Sequence, residues 1–168
     1  SRMKRNKNLI VAAAGLAAVA AEIGGRAVQA DVADAAAARA LVEAAGELDI
    51  LVNNAGLTRD GLLARMSDDD WDTVIQTNLA SVFYTCRAVA RPMMKRRSGA
   101  IVNISSISGY RASARSAPYA AVKAAVINYT QSQGLMLSGK RIRVNAIAPG
   151  SIEFPGGVWD KRKTENPA

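Results

Sequence analysis

The stretch Leu48-Asp49-Ile50-Leu51-Val52-Asn53-Asn54-Ala55-Gly56 decides the fold. A short, largely apolar run followed at once by small and polar residues reads as a strand buried on both faces, ending in a tight loop. The pattern recurs. Residues 100–104 are apolar but for Asn103 and lead to Ser105-Ser106, and residues 143–146 lead to Pro149-Gly150. Helical segments separate these strands. Asp34 can cap a helix over 35–45, and Gly46 ends it. Ser67 and Asp68-Asp69-Asp70 start another, because carboxylates favour the positive end of a helix dipole. Its apolar spacing through Trp71, Val74, Ile75, Leu79, Val82 and Phe83 carries it to about Lys95, with Pro92 allowing a kink. A long helix runs from Tyr119 to about Leu137. Two further strands are expected at 9–12 and 26–31. Strands alternating with helices of ten residues or more give a parallel α/β sheet with helices on both faces.

Length and composition bound the answer. The chain has 168 residues, enough for one domain with its own core, and 49% of them are apolar. Histidine is absent, which removes His-based triads and His-ligated metals. No acidic cluster has ligand spacing, so no metal site is expected. The one cysteine, Cys86, excludes an internal disulfide and reads as a small core residue. A basic head and apolar run over 1–23 imitate a secretory signal, but the run is too short to span a bilayer and Glu22 closes it. A strand and an Ala-rich helix ending at Gly24-Gly25 fit it better. The net charge of +8 permits acidic partners. The basic residues lie in separate groups without interleaved aromatics, so they read first as solvated ends of helices and loops. Nucleic acid is not the expected partner.

In parallel α/β folds, ligands sit beyond the carboxyl ends of the strands. Asn53-Asn54-Ala55-Gly56, Ser105-Ser106 and Pro149-Gly150 all fall there. Tyr119 and Lys123 are four apart at a helix start, so both project from one face. An ammonium beside a phenol favours the phenolate and suits it for proton transfer near neutrality. Ser106 precedes Tyr119 by thirteen positions, and its hydroxyl can hydrogen-bond a substrate oxygen. A phenol acid and a hydroxyl donor around a carbonyl suggest ketone reduction or alcohol oxidation, with the hydride supplied by a cofactor.

Together these motifs resemble the short-chain dehydrogenase/reductase family. The matching residues are Asp31-Val32, Asn53-Asn54-Ala55-Gly56, Asn78 in Thr-Asn-Leu, Ser106 in Asn-Ile-Ser-Ser-Ile-Ser-Gly, Tyr119-x-x-x-Lys123, and Arg143-Val144-Asn145 leading to Pro149-Gly150. They occur in family order, over about residues 15–157. Leu57-Thr58-Arg59-Asp60-Gly61-Leu62-Leu63 and Arg91-Pro92-Met93-Met94-Lys95 look most like bacterial 3-oxoacyl-acyl-carrier-protein reductases.

The resemblance implies a Rossmann-like, doubly wound domain spanning 1–168. It implies NAD(P)(H)-dependent reduction of a 3-oxoacyl thioester or similar ketone. Tyr119 would be the general acid, Lys123 would favour its ionised form and bind the nicotinamide ribose, and Ser106 would polarise the carbonyl. Asn78, at a local irregularity of its helix, would hold a water in a proton relay to Lys123. Asp31 and Val32 would meet the adenine. Asn53, Ala55 and Gly56 would line the cofactor by backbone, and Pro149, Gly150 and Ile152 would face the nicotinamide. Asn54 could instead tie strands together, Ser105 reads as structural, and Asn145 as a strand-end amide. Arg97 and Lys140 would engage an acidic carrier protein near the mouth of the site. A homotetramer, a cytoplasmic location and no membrane contact complete the implied picture, and the basic charge favours NADP over NAD.

The sequence also departs from the family. The Thr-Gly-x-x-x-Gly-x-Gly turn that follows the family's first strand, and holds the pyrophosphate, does not occur here. The first strand with its turn, and the last strand, are therefore expected to be lacking, and apolar neighbours of the first strand exposed. Either the residues belong to a longer chain with gaps closed up, or the chain is genuinely shortened; the intact catalytic set favours the former. Where the family often has a threonine that bonds the carboxamide stands Phe154, so Phe154 and Trp159 are expected to line a substrate lid. Two rivals follow: an alcohol, sugar or steroid dehydrogenase on the same scaffold, and a non-catalytic relative with a structural role.

Overall fold

The structure is a computed structural model that describes residues 10–11, 20–113 and 115–152. Among the described residues, five parallel strands fall into two hydrogen-bonded groups. β1 (Ile10–Val11) pairs with β2 (Arg26–Ala27). β3 (Ile50–Asn53), β4 (Gly99–Ile104) and β5 (Ile142–Ile147) form a second sheet in that order. Its register sets Leu51 beside Ile101, and Ile101 beside Val144. The strand expected at 26–31 is cut to two residues. Asp31 takes the chain out of extended form, because its carboxylate accepts the Ala33 N–H at 2.9 Å and its carbonyl accepts the Asp34 N–H.

The helices follow their sequence signals. α1 (Ala35–Ala45) begins where the Asp34 carboxylate accepts the Ala37 N–H at 2.7 Å, and Gly46 closes it at φ 70°. α2 (Asp68–Ile75) begins at Ser67, whose hydroxyl accepts the Asp70 N–H at 3.1 Å. The backbone then widens into a π turn over Gln76–Ala80 and resumes as α3 (Ser81–Arg96). α4 (Ala117–Leu137) has Pro118 in its first turn, where a missing N–H costs nothing. Arg97 and Arg141, at φ 55° and 60°, turn the chain into β4 and β5.

Successive side chains of a strand point to opposite faces, so register sorts the sheet. Leu51, Ile101, Ile142 and Val144 share one face. There they pack with Val42 of α1, Val82, Val89 and Met93 of α3, and Val126 and Leu137 of α4. The described helices that reach this sheet therefore cover that face. The other face and the free edge of β3 are partly open. Ile50 and Val52 are 59% and 52% exposed, and Ile147 is 51% exposed. Ile50 and Val52 belong to β3, whose outer edge pairs with no other strand among the described residues.

A polar seam runs through the core. The Asn53 amide donates to Asn103 Oδ1 at 2.8 Å, and Asn103 donates to Thr130 Oγ1 at 2.9 Å. The Thr85 hydroxyl donates to Asn53 Oδ1 at 2.7 Å. The seam ties β3, β4, α3 and α4 together. Asn53 and Asn103 supply the inter-strand tie considered for Asn54, which is exposed. Asn54 follows Asn53 by one residue and so points away from the helices. Cys86 is buried beside this seam, within 3.3 Å of the Asn53 amide nitrogen, as its small-core reading requires, and burial pushes its thiol pKa up.

Asn103→Leu would strip an acceptor from Asn53 and a donor from Thr130, both inside the fold. Unfolding in urea should show a loss of roughly 2–4 kcal/mol. A change below about 0.5 kcal/mol would mean that Asn53 and Thr130 find other partners.

Candidate functional site

Four hydrogen bonds from backbone N–H groups order the loops at the carboxyl edge. The Ser105 N–H donates to the Ile147 carbonyl at 2.7 Å, and the Ile107 N–H to the Pro149 carbonyl at 3.0 Å. The Ser108 N–H donates to the Ser106 hydroxyl at 3.1 Å, and the Gly109 N–H to the Ser106 carbonyl at 2.9 Å. The turn Ile107–Gly109 is thus pinned to the end of β5. The Ser106 hydroxyl accepts from this turn and keeps its proton for another oxygen. Pro149 and Gly150 lie against the same turn; a Cβ on Gly150 would sit 3.8 Å from Ile107 Cδ1.

Lys123 is the centre of the site. It lies one turn along α4 from Tyr119, and its Nζ is 5.4 Å from the Tyr119 ring centroid. Nζ also donates to the Ile104 carbonyl at the end of β4, at 2.8 Å. Only 4% of Lys123 is exposed, and burial lowers its pKa from 10.5 to about 8. The ammonium has three N–H groups and one is spent on Ile104.

Asn78 is buried inside the π turn, so the irregularity expected at this residue is present. Its side chain clamps the Asn53–Gly56 loop. The amide donates to the Leu57 and Val74 carbonyls, both at 2.9 Å, and its oxygen accepts the Leu57 N–H at 3.2 Å. The extra residue of a π turn re-aims a side chain within a continuous helix, as recurs at functional sites. The clamp is tight against Gly56. A Cβ there would stand 2.7 Å from Asn78 Oδ1 and 3.6 Å from Lys123 Nζ. Only a bare backbone fits that gap.

Gly56, Asn78, Tyr119, Lys123 and the Ser106 turn therefore form one connected group, with Pro149 and Gly150 at its margin. Ala55 is exposed on the same loop, and Ile152 is exposed beyond Gly150. Asp31 and Val32 lie apart, in the turn after β2, where the Asp31 carboxylate is engaged with Ala33. Phe154 and Trp159 lie outside the described residues. Asn145 is an exposed residue within β5 and not at its end.

Arg97 and Lys140 approach through a neighbour: the Arg97 guanidinium donates to the Gly139 carbonyl at 3.2 Å. They do so at the amino ends of β4 and β5. The six residues of β4 separate that edge from Ser106 by about 20 Å, at about 3.3 Å per residue. Within one chain they do not flank the mouth of the site, contrary to expectation. Both precede strands, and strand direction carries them to the far edge.

Gly109 escaped the sequence reading, and Ser105 was read there only as structural. Ser105 donates from its hydroxyl to the Lys123 carbonyl at 2.7 Å, and Gly109 packs on the backbone of Lys123 and Ala124. The Gly in Ser-Ser-x-x-Gly was a visible signal for the second, though not for what it touches.

Residues 3–166 match the short chain dehydrogenase family. The chain belongs to that family. Among curated relatives, the 3-oxoacyl-[acyl-carrier-protein] reductase of Chlamydia muridarum is 52% identical over 122 residues, covering 71% of this chain and 49% of that protein. The Thermotoga maritima reductase of the same name is 50% identical over 115 residues, covering 68% of this chain and 47% of that one. The chain spans about half the length of the curated relatives it matches. A Brucella melitensis 3-oxoacyl-[acyl-carrier protein] reductase structure with bound NAD superposes with a TM-score of 0.79 at 35% identity, covering 94% of this chain and 66% of that one. As a short chain dehydrogenase, the chain has the parallel α/β fold that its strand pattern indicates.

The buried ammonium yields a pH test. The folded chain holds the Lys123 proton more weakly than the unfolded chain does. The charged lysine thus lowers stability by a constant amount below pH 8, and the penalty fades between about 8 and 10.5. Lys123→Met should be more stable relative to the parent at pH 7 than at pH 10, by up to roughly 3 kcal/mol. Urea unfolding of both proteins across that range measures it. A difference that stays flat would put the ammonium in water.

Proposed function

We propose that this chain is an NAD(P)(H)-dependent oxidoreductase that reduces a ketone of the 3-oxoacyl thioester type to a secondary alcohol. The observation that carries the reading is the pairing of Tyr119 with a nearly buried Lys123 beside the Ser106 turn, in a member of the short chain dehydrogenase family. The names of the relatives point to carrier-bound 3-oxoacyl substrates.

The residues at hand fit the nicotinamide-ribose end of such a cofactor. Lys123 retains N–H donors for ribose hydroxyls, and the side-chain-free Gly56 backbone lies next to Nζ. Asn53, Ala55, Pro149, Gly150 and Ile152 complete this wall in the reading, with Asp31 and Val32 toward the adenine. The cofactor, when bound, supplies the hydride. The chain handles the oxygen and the proton. Ser106 donates its hydroxyl proton in a hydrogen bond to the substrate carbonyl, polarising it. The Tyr119 phenol delivers the proton to the developing alkoxide, and the Lys123 ammonium favours the phenolate left behind. Asn78 has both amide hydrogens and its oxygen engaged, so its first task is to hold the Asn53–Gly56 loop. A relay water would have to meet its backbone or the second lone pair of its oxygen.

The same reading takes residues 1–168 as one domain of a cytoplasmic homotetramer. The net charge of +8 favours NADP and an acidic carrier, with Phe154 and Trp159 over the substrate. A fluorescence titration with NADPH and NADH decides the cofactor: NADPH should bind more tightly, and tighter NADH binding overturns that preference.

Tyr119→Phe should lower turnover of a 3-oxoacyl thioester by at least about 100-fold, while fold and nucleotide affinity stay near those of the parent. Activity within a few-fold of the parent would remove Tyr119 from the acid role.

A further inference from the structure

We propose that Ser105 and Gly109 act as a latch that docks the Ser106 turn onto α4 at Lys123, and that this latch fixes the spacing of the proton-handling groups. The inference rests on the oxidoreductase reading for its kinetic consequence, but its geometry stands without it.

The latch has two independent contacts on one turn of helix. The buried Ser105 hydroxyl donates to the Lys123 carbonyl at 2.7 Å. Four residues on, Gly109 lies so close to α4 that a Cβ would fall 2.9 Å from both Ala124 N and Lys123 C, and 3.0 Å from Ile127 Cδ1. Two of those three atoms are helix backbone and cannot swing aside. A third bond comes from the other direction, where Lys123 Nζ donates to the Ile104 carbonyl just before Ser105. The segment 104–109 and the Lys123 turn thus hold each other from both sides of Ser106. Ser105 bonds a helix carbonyl and Gly109 packs on helix backbone, so both act through α4 as positioning residues.

Catalytic geometry tolerates only about 0.5 Å of error, and a shift of about 1 Å can cost about 100-fold in rate. A methyl group at 109 forces a shift of that order in the turn carrying Ser106. Space elsewhere on α4 is different: a Cβ on Gly134 would meet Val144 O at an ordinary 3.7 Å.

The experiment compares Gly109→Ala, Ser105→Ala and Gly134→Ala with the parent chain. Far-ultraviolet circular dichroism gives the folded fraction. Turnover with NADPH and a 3-oxoacyl thioester gives kcat and KM per folded molecule. Lys123 is titrated by NMR with 13C-labelled lysine and no nucleotide present. Gly109→Ala should lower kcat by 10-fold or more with the KM for NADPH changed less than about threefold. Its Lys123 should titrate above about 8 as water enters beside the loosened turn. Ser105→Ala should move both readouts in the same direction by less, and Gly134→Ala should move neither. Unchanged kcat and unchanged Lys123 titration in Gly109→Ala overturn the latch. If Gly109→Ala does not fold, Ser105→Ala decides by the same criteria. If the parent shows no turnover, the oxidoreductase reading fails, and the Lys123 titration alone decides the latch.

Discussion

An ammonium held under the end of β4 organises this molecule. Lys123 is nearly buried, and Nζ donates to the Ile104 carbonyl at the end of the strand that leads to Ser106. Burying a charge is costly, and with no carboxylate paired to it among the described residues the cost shows as a depressed pKa. Such a group stays buried only if its surroundings are fixed by other interactions. The Asn78 clamp on Leu57, the Gly56 backbone and the Ser105 bond to the Lys123 carbonyl supply that constraint. Each also positions a loop of the site, so stability and site geometry depend on the same contacts.

The polar seam extends this logic into the core. Asn53, Asn103, Thr85 and Thr130 replace what could have been apolar packing, at little or no net gain in free energy. What they add is register. Asn103 can satisfy Asn53 and Thr130 together only when β3, β4 and α4 stand in one relation, which also places the Asn53–Gly56 loop over Lys123. A purely apolar contact would tolerate sliding that a directional hydrogen bond does not.

Much of this was legible in the sequence where the cause is local. Asp34 and Ser67 cap the helices they were expected to cap, and Gly46 ends one, because capping needs only neighbours three residues away. Tyr119 and Lys123 share a face because helix pitch requires it. The π turn was foreseen only through family resemblance. Other features depend on how elements meet. Nothing local says that Asn53 rather than Asn54 faces the helices, since one step of strand parity decides it. The short β2 was missed because the Asp31 turn competes with strand pairing. The latch was missed because the value of Gly109 lies in a helix backbone fifteen residues away in sequence. Arg97 and Lys140 were placed at the wrong edge because alignment gives position along the chain and not the direction of the strand that follows.

That direction also explains the bonding of three arginines. In a parallel α/β unit the helices run opposite to the strands, so helix N-termini gather at the carboxyl edge and C-termini at the amino edge. The C-termini present unpaired carbonyls and negative dipole ends. Guanidinium groups answer them. Arg26 donates to the Ala44 carbonyl at the end of α1, Arg96 to the Leu48 carbonyl, and Arg97 to the Gly139 carbonyl past the end of α4. Arg96 also lies near the carboxylates of Glu47 and Asp49. These arginines are thereby accounted for by backbone chemistry at the edge remote from the site. Tyr119 sits at the opposite pole, in the first turn of α4, where the dipole end is positive and favours developing negative charge on a phenol. One topological fact, antiparallel helices on parallel strands, separates the charge that staples the fold from the chemistry placed at its other edge.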